Sequence, residues 1–396
     1  MTSSSSQAWF KFKSGKSVKP GSILAKSIAY ALTSALLMAL VACSGTPEKP
    51  KPTELSNFNA KVTVKKAWSV QLSPISSNLS HKLSEGQLAL VTNAGLVSVL
   101  NPENGAEIWR LALNTPIAAG IGGDGERYAV ISQANELISM SQAKVIWRVK
   151  LPASSFTSPL VAGGRVFVLT ADRTVMAFDG ASGQRLWSQQ RSGDPLVLNQ
   201  SGILTSFQDK LLVGLSGRLV AMNPGNGVSN WEVNIGSSRG TNEVERLTDL
   251  VAGIYRESNV VCARAFQTSV TCTDASKGTS LWTRTAQGHV GLSGNEGFLF
   301  GAESDGKVIS WNAKSGQVAW QSESLRFRGL TAPQWHSGQL LVGDALGWVH
   351  WLDPNNGQIV GRFQVDASGV AMTPVRVGQN WVVMTQSGLV QALRAE

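Results

Sequence analysis

Cysteine and histidine are scarce in this chain, which has three of the former and four of the latter in 396 residues. His81, His289, His336 and His350 are scattered and show none of the short spacings by which imidazoles share a metal ion. Cys43 stands far from the other two cysteines, so the chain can form one internal disulfide and no framework of them. No long apolar run is present either. The longest, Ile28–Ala42, has fifteen residues, short of the roughly 20 that a helix needs to cross a bilayer. A convergent catalytic set is also missing. Gly214-Leu-Ser216-Gly217 lacks the spacing of a nucleophile elbow. The first 42 residues contain no acid and five lysines, so the formal charge of +9 is misleading. Without that stretch, 30 basic and 26 acidic side chains remain, a net of +4. That balance gives no reason to invoke nucleic acid.

What the first 42 residues do contain is ordered. Lys11, Lys13, Lys16, Lys19 and Lys26 precede the apolar run, and Leu40-Val41-Ala42 leads into Cys43. A basic region, a short apolar region and small residues before a cleavage point make a secretory signal over residues 1–42. The cysteine at its end resembles the lipobox of bacterial lipoproteins, which implies cleavage before Cys43 and acylation of its sulfur and amine. Several acyl chains hold a protein on a membrane where one alone is marginal. By the same resemblance, Ser44 in place of an aspartate implies an outer-membrane address. Residues 43–61 follow as a lipidated tether whose Ser44–Glu54 stretch is rich in proline and charge and favours an extended spacer.

From residue 62 to 396 the chain repeats. Gly95-Leu-Val-Ser-Val-Leu-Asn-Pro-Glu-Asn-Gly-Ala-Glu-Ile-Trp109 recurs in variant form ending at Trp147, Trp187, Trp231, Trp282, Trp320 and Gly361. Counted from Trp68, the intervals are 41, 38, 40, 44, 51, 38 and 41 residues. A period near 40 marks a repeat architecture. Each unit carries short apolar strands and a turn such as Asn101–Gly105, in which proline presets φ and glycine takes the left-handed position. Four strands per unit make a propeller blade. The chain is expected to be all-β, an eight-bladed propeller. An incomplete eighth unit, Gly388–Leu393, is completed by Lys65–Leu72, so the two ends close the ring and remove its free edges. The tryptophans belong between blades, where an indole N–H can find a carbonyl. Gly120-Ile-Gly122-Gly-Asp-Gly125 matches a dinucleotide fingerprint, but a strand at Glu126–Ser132 follows where a helix is required. It is read as a turn between blades. Asp305, Asp344 and Asp353 are read as turn residues.

Cys262 and Cys272 flank a segment centred on Gln267. With Val260–Ala265 and Ser269–Thr273 as hairpin arms they oppose each other within disulfide reach. A Cys262–Cys272 bond is expected in an oxidising compartment; two buried free thiols are the alternative.

The Ala-Leu-Asp-x-x-x-Gly-x-x-x-Trp rhythm resembles the pyrroloquinoline-quinone-type propeller repeat. With the lipobox and eight such blades, the chain is similar to the lipoprotein scaffold family of the outer-membrane β-barrel assembly machine. Thr241–Asp249 and Val342–Trp351 carry the most specific likeness. The resemblance implies a non-enzymatic scaffold without cofactor, facing the periplasm from the outer membrane. It implies a monomeric propeller within a hetero-complex, binding the barrel-forming subunit BamA, other machine subunits and unfolded β-barrel clients. It places partner contacts at Leu196, Leu198 and Asn199 in one loop and at Arg246, Leu247 and Asp249 in another. Asn199 stands where the family pattern has arginine, and Val251 where it has a second aspartate. By residues alone, Asn242 and Glu245 resemble a capping box, which predicts a short helix over Glu243–Leu250. Two other readings share the repeat: a pyrroloquinoline-quinone-dependent dehydrogenase and a periplasmic propeller that binds glycan or polypeptide.

Overall fold

The computed structural model describes residues 50–76, 79–193, 196–237 and 247–396. The signal segment and Cys43 lie outside the described residues. The described chain is all-β: eight antiparallel sheets of four strands each. Seven are consecutive, at residues 82–112, 117–150, 160–190, 204–234, 255–285, 292–322 and 334–364. The eighth combines three C-terminal strands, Val375–Val377, Asn380–Met384 and Leu389–Ala395, with the N-terminal strand Val64–Gln71. Val64 pairs with Ala395 and Gln71 with Leu389, with one irregularity between Lys66 and Trp68. The expected closure of an eight-bladed propeller is therefore present.

No single central core exists. Apolar side chains form layers between neighbouring sheets, as where Val166, Val168, Met176 and Phe178 of the third blade meet Ala129, Ile131 and Leu137 of the second. The second and third strands of each blade are covered on both faces, so they read as continuous apolar runs instead of alternating ones. Leu88, Ala89, Leu90 and Val91 are all fully buried.

The repeat encodes how one blade grips the next. Trp147 sits on the outermost strand of the second blade, and its Nε1 donates to the Gly180 carbonyl of the third at 2.9 Å. Trp187 does the same to Pro224 at 3.0 Å, Trp282 to Ala313 at 2.9 Å and Trp320 to Pro354 at 2.8 Å. Each indole lies against the glycine that closes the neighbouring turn. Gly183 has φ +74°, and a Cβ there would meet Trp147 at 2.7 Å. That glycine thus serves two needs, a left-handed backbone and a bare surface. Gly361 replaces the seventh tryptophan because the entering chain fills its place. Lys61 and Val62 both donate to the Val360 carbonyl, and Val62 Cβ lies 3.0 Å from where a Gly361 Cβ would stand.

The structure departs from the sequence-based expectation at two places. The glycine run does not form a turn between blades. Ile117–Gly123 is a strand, the first of the second blade, with irregular pairing to Tyr128–Ser132. Glycine is required there by proximity, since a Cβ on Gly122 would meet the Pro159 carbonyl oxygen at 1.8 Å. The expected helix over Glu243–Leu250 is absent from its described part, 247–250, which holds no helical residue and a single bridge at Leu250. Residues 243–246 lie outside the described residues.

The hairpin of Val260–Ala265 and Ser269–Asp274 brings Cys262 directly opposite Cys272. Their Cα atoms are 4.0 Å apart and the sulfurs are bonded. Asp305 and Asp353 accept from nearby backbone N–H groups as turn residues do. Asp344 does so too, and in addition its Oδ2 accepts from buried Arg328 Nε at 2.7 Å and contacts His350 Nε2 at 3.0 Å. Arg328 also donates to the Thr53 carbonyl at 2.9 Å. The compact unit begins at Pro52, so residues 52–61 lie along the propeller.

Candidate partner-docking site

The two loops singled out by sequence are 51 residues apart and meet in space. The backbone N–H of Leu198 donates to Asp249 Oδ2 at 2.8 Å. Each loop is built from a connection between blades, where the backbone leaves the ladder and needs other partners. The first loop, after the third blade, exposes Leu196 at 38% and also Asn199, with Leu198 half-buried. The second loop, 247–251, is tied to the fifth blade. Phe266 N–H donates to the Asp249 carbonyl, and Val251 N–H to the Arg264 carbonyl, both at 3.0 Å. Leu250 bridges Ala265 in the same way. These bonds explain why 247–250 is not helical: the backbone groups a helix would use internally are engaged by a neighbouring strand. Leu247 and Asp249 are half-buried. Arg246 lies outside the described residues, as do Asp194 and Pro195.

Beneath the first loop is a small cleft of about 50 Å³ lined in part by Phe156, Leu169, Leu198, Leu215 and Leu250. Its edge is held by Arg173, a residue the sequence reading passed over. Arg173 Nη2 donates to the Leu196 carbonyl at 3.1 Å and its Nε to Ser216 Oγ at 2.6 Å. A signal for it was present. In five other repeats the equivalent position is a left-handed glycine, Gly95, Gly217, Gly306, Gly347 or Gly388. Arginine with φ +62° occupies that place, a strained choice that asks for a reason.

A further cavity is bordered by connections from several blades. It measures about 500 Å³, and its polar side chains come from serine, threonine, asparagine, glutamine, His81 and His289. Among the described residues no carboxylate lines it, so the charged oxygen donors that usually hold calcium are missing from that lining.

A sequence profile described as "Outer membrane protein assembly factor BamB" matches residues 93–322, more than half of the chain. The chain belongs to the BamB family. One relative, the outer membrane protein assembly factor BamB of Burkholderia pseudomallei (strain K96243), is 28% identical over 365 residues, covering 91% of this chain and 96% of that one. The crystal structure of BamB from Moraxella catarrhalis superposes with TM-score 0.75 at 22% identity, over 84% of this chain and all of that one. The quinohemoprotein alcohol dehydrogenase from Comamonas testosteroni matches with TM-score 0.64 at 12% identity, over 84% of this chain and 76% of that one. At that identity the likeness concerns the propeller alone. As a BamB family member the protein is a scaffold in outer-membrane protein assembly and not an enzyme.

Proposed function

We propose that the protein is anchored in the outer membrane through lipid on Cys43, faces the periplasm, and docks onto the periplasmic domains of BamA to aid insertion of β-barrel clients. Its docking face comprises Leu196, Leu198 and Asn199 with Arg246, Leu247 and Asp249. The observation that carries this reading is the Leu198 N–H to Asp249 bond, which unites two loops that the family pattern also pairs. Leucines there suit docking, because each aliphatic side chain fully buried by a partner contributes roughly 1.5–3 kcal/mol. Few such residues are needed, since binding energy concentrates in a handful of anchors.

The test is photocrosslinking from Leu198 and, separately, Leu247 in intact cells, with the attached protein identified by mass spectrometry. BamA is the expected adduct at both positions. Recovery of the protein without adduct, or with BamA only at a distant control such as Leu186, removes the docking face. The mass of the mature N-terminal peptide checks the anchor independently: a triacylated Cys43 is expected.

A further inference from the structure

We infer that Arg173 and Asp249 are positioning residues, which hold an aliphatic ledge of Leu196 and Leu198 in place and need not touch the partner themselves. This rests on the docking reading above and adds what each residue does within it.

The loop from 196 to 199 has no regular structure of its own. Two charged side chains grip its backbone from opposite ends. Arg173 takes the Leu196 carbonyl as acceptor, and Asp249 takes the Leu198 N–H as donor. Bonds between an ionised group and a backbone amide are among the stronger ones. Neither grip is accidental to the surroundings. Arg173 is only 7% exposed. It is braced by Ser216 at the next blade, and Gly193 comes so near that a Cβ would lie 2.6 Å from Arg173 Nε. Asp249 is held by its own backbone, through the bond from Phe266 N–H in the disulfide-linked hairpin. The ledge is thus clamped between the third and fifth blades, with leucine side chains left outward and over the cleft. Ordering a loop before binding removes an entropic cost from association. A partner meeting this surface meets aliphatic groups, so an apolar patch on a folded periplasmic domain fits it better than a cationic one.

A charge read directly by the partner and a charge spent on the loop make different predictions. The asparagine side chain is nearly isosteric with aspartate and still offers a carbonyl oxygen to Leu198 N–H. Binding of the purified, full-length mature protein to the periplasmic domains of its own BamA is measured by calorimetry. Asp249→Ala is expected to weaken binding about tenfold and Asp249→Asn by less than about threefold, in line with loss of the bond in one case and its replacement by a neutral hydrogen bond in the other. In a Leu196→Ala/Leu198→Ala background, neither Asp249→Ala nor Arg173→Ala adds a further loss, because nothing remains to position. Ser216→Ala, a milder variant than Arg173→Ala, shifts affinity in the same direction. Amide exchange at Leu198 quickens in Asp249→Ala while the melting temperature stays within a few degrees. The inference is overturned if Asp249→Asn is as damaging as Asp249→Ala, or if Asp249→Ala costs as much in the leucine-free background as in the parent. If the double leucine variant binds like the parent, the docking reading itself falls and takes this one with it.

Discussion

Asp344 was legible as a turn residue and is one, through bonds from Leu346 and Trp348 N–H. What only packing reveals is its second oxygen, engaged with Arg328 and His350 where all three side chains are buried. Burial by itself would raise the Asp344 carboxyl, but bonds from His350, Trp348 and Arg328 outweigh it and hold the group below its ordinary value. For His350, burial wins over the attraction of Asp344, and its pKa is lowered from 6.5. The folded state therefore binds fewer protons at His350 than the unfolded chain does. Its contribution is complete above the unfolded value and is lost as pH falls below about 6.5, by at most about 1.4 kcal/mol per pH unit. Asp344 adds a loss of the same sign at lower pH. Urea unfolding should show lower stability at pH 5.0 than at pH 7.5, with a smaller difference in His350→Gln. The difference shrinks without vanishing, since burial also lowers His81, to about 4, and His289. An undiminished pH dependence in His350→Gln would acquit this residue.

Among elements, the turn and the tryptophan are one unit. The turn chemistry at Asp179–Gly183 was readable because its aspartate and glycines act on the local backbone. That the turn glycine seats the tryptophan of the preceding blade was not readable, because the two lie 36 residues apart, Trp147 to Gly183. A comparison isolates the packing part. Gly163 and Gly183 both have positive φ, but a Cβ on Gly163 would meet nothing within 4 Å. Gly163→Ala is expected to cost about 1 kcal/mol of backbone strain, and Gly183→Ala about 1–3 kcal/mol more through overpacking against Trp147. Equal losses in chemical denaturation would show that the indole yields freely. The same reasoning explains two misread elements. Asn242 and Glu245 signal a helix start locally, yet 247–251 is drawn out along the fifth blade by bonds to Arg264 and Phe266. The Gly120–Gly125 run signals a turn locally, yet its glycines up to Gly123 lie in a strand crowded by neighbouring blades.

For the whole molecule, closure is the decisive contact. The strand Val64–Gln71 finds its partner at Leu389–Ala395, more than 300 residues away, and Lys65 pairs with Glu396 at 2.9 Å. Such non-local pairing is costly to reach and locks the ring once made. Truncation after Met384 should leave Val64–Gln71 as an unpaired edge and uncover the adjoining layer of Val64, Trp381 and Val383. The expected outcome is a broad, non-cooperative melt and association of the open edge. A sharp transition at the parent temperature would mean that the latch contributes little.

The sequence by itself determined the number of blades, the position of their turns and the phase in which the ends meet. Those properties follow from local backbone chemistry repeated at a near-constant interval, and a period needs no tertiary information to be counted. Only the folded structure decided that Arg173 and Asp249 close on one loop, and that Gly361 is small because the incoming chain lies there. It also decided that Asp344 carries a buried ion pair. Each of these depends on which distant segments the ring brings side by side. A side chain's partner across space leaves no periodic trace along the chain.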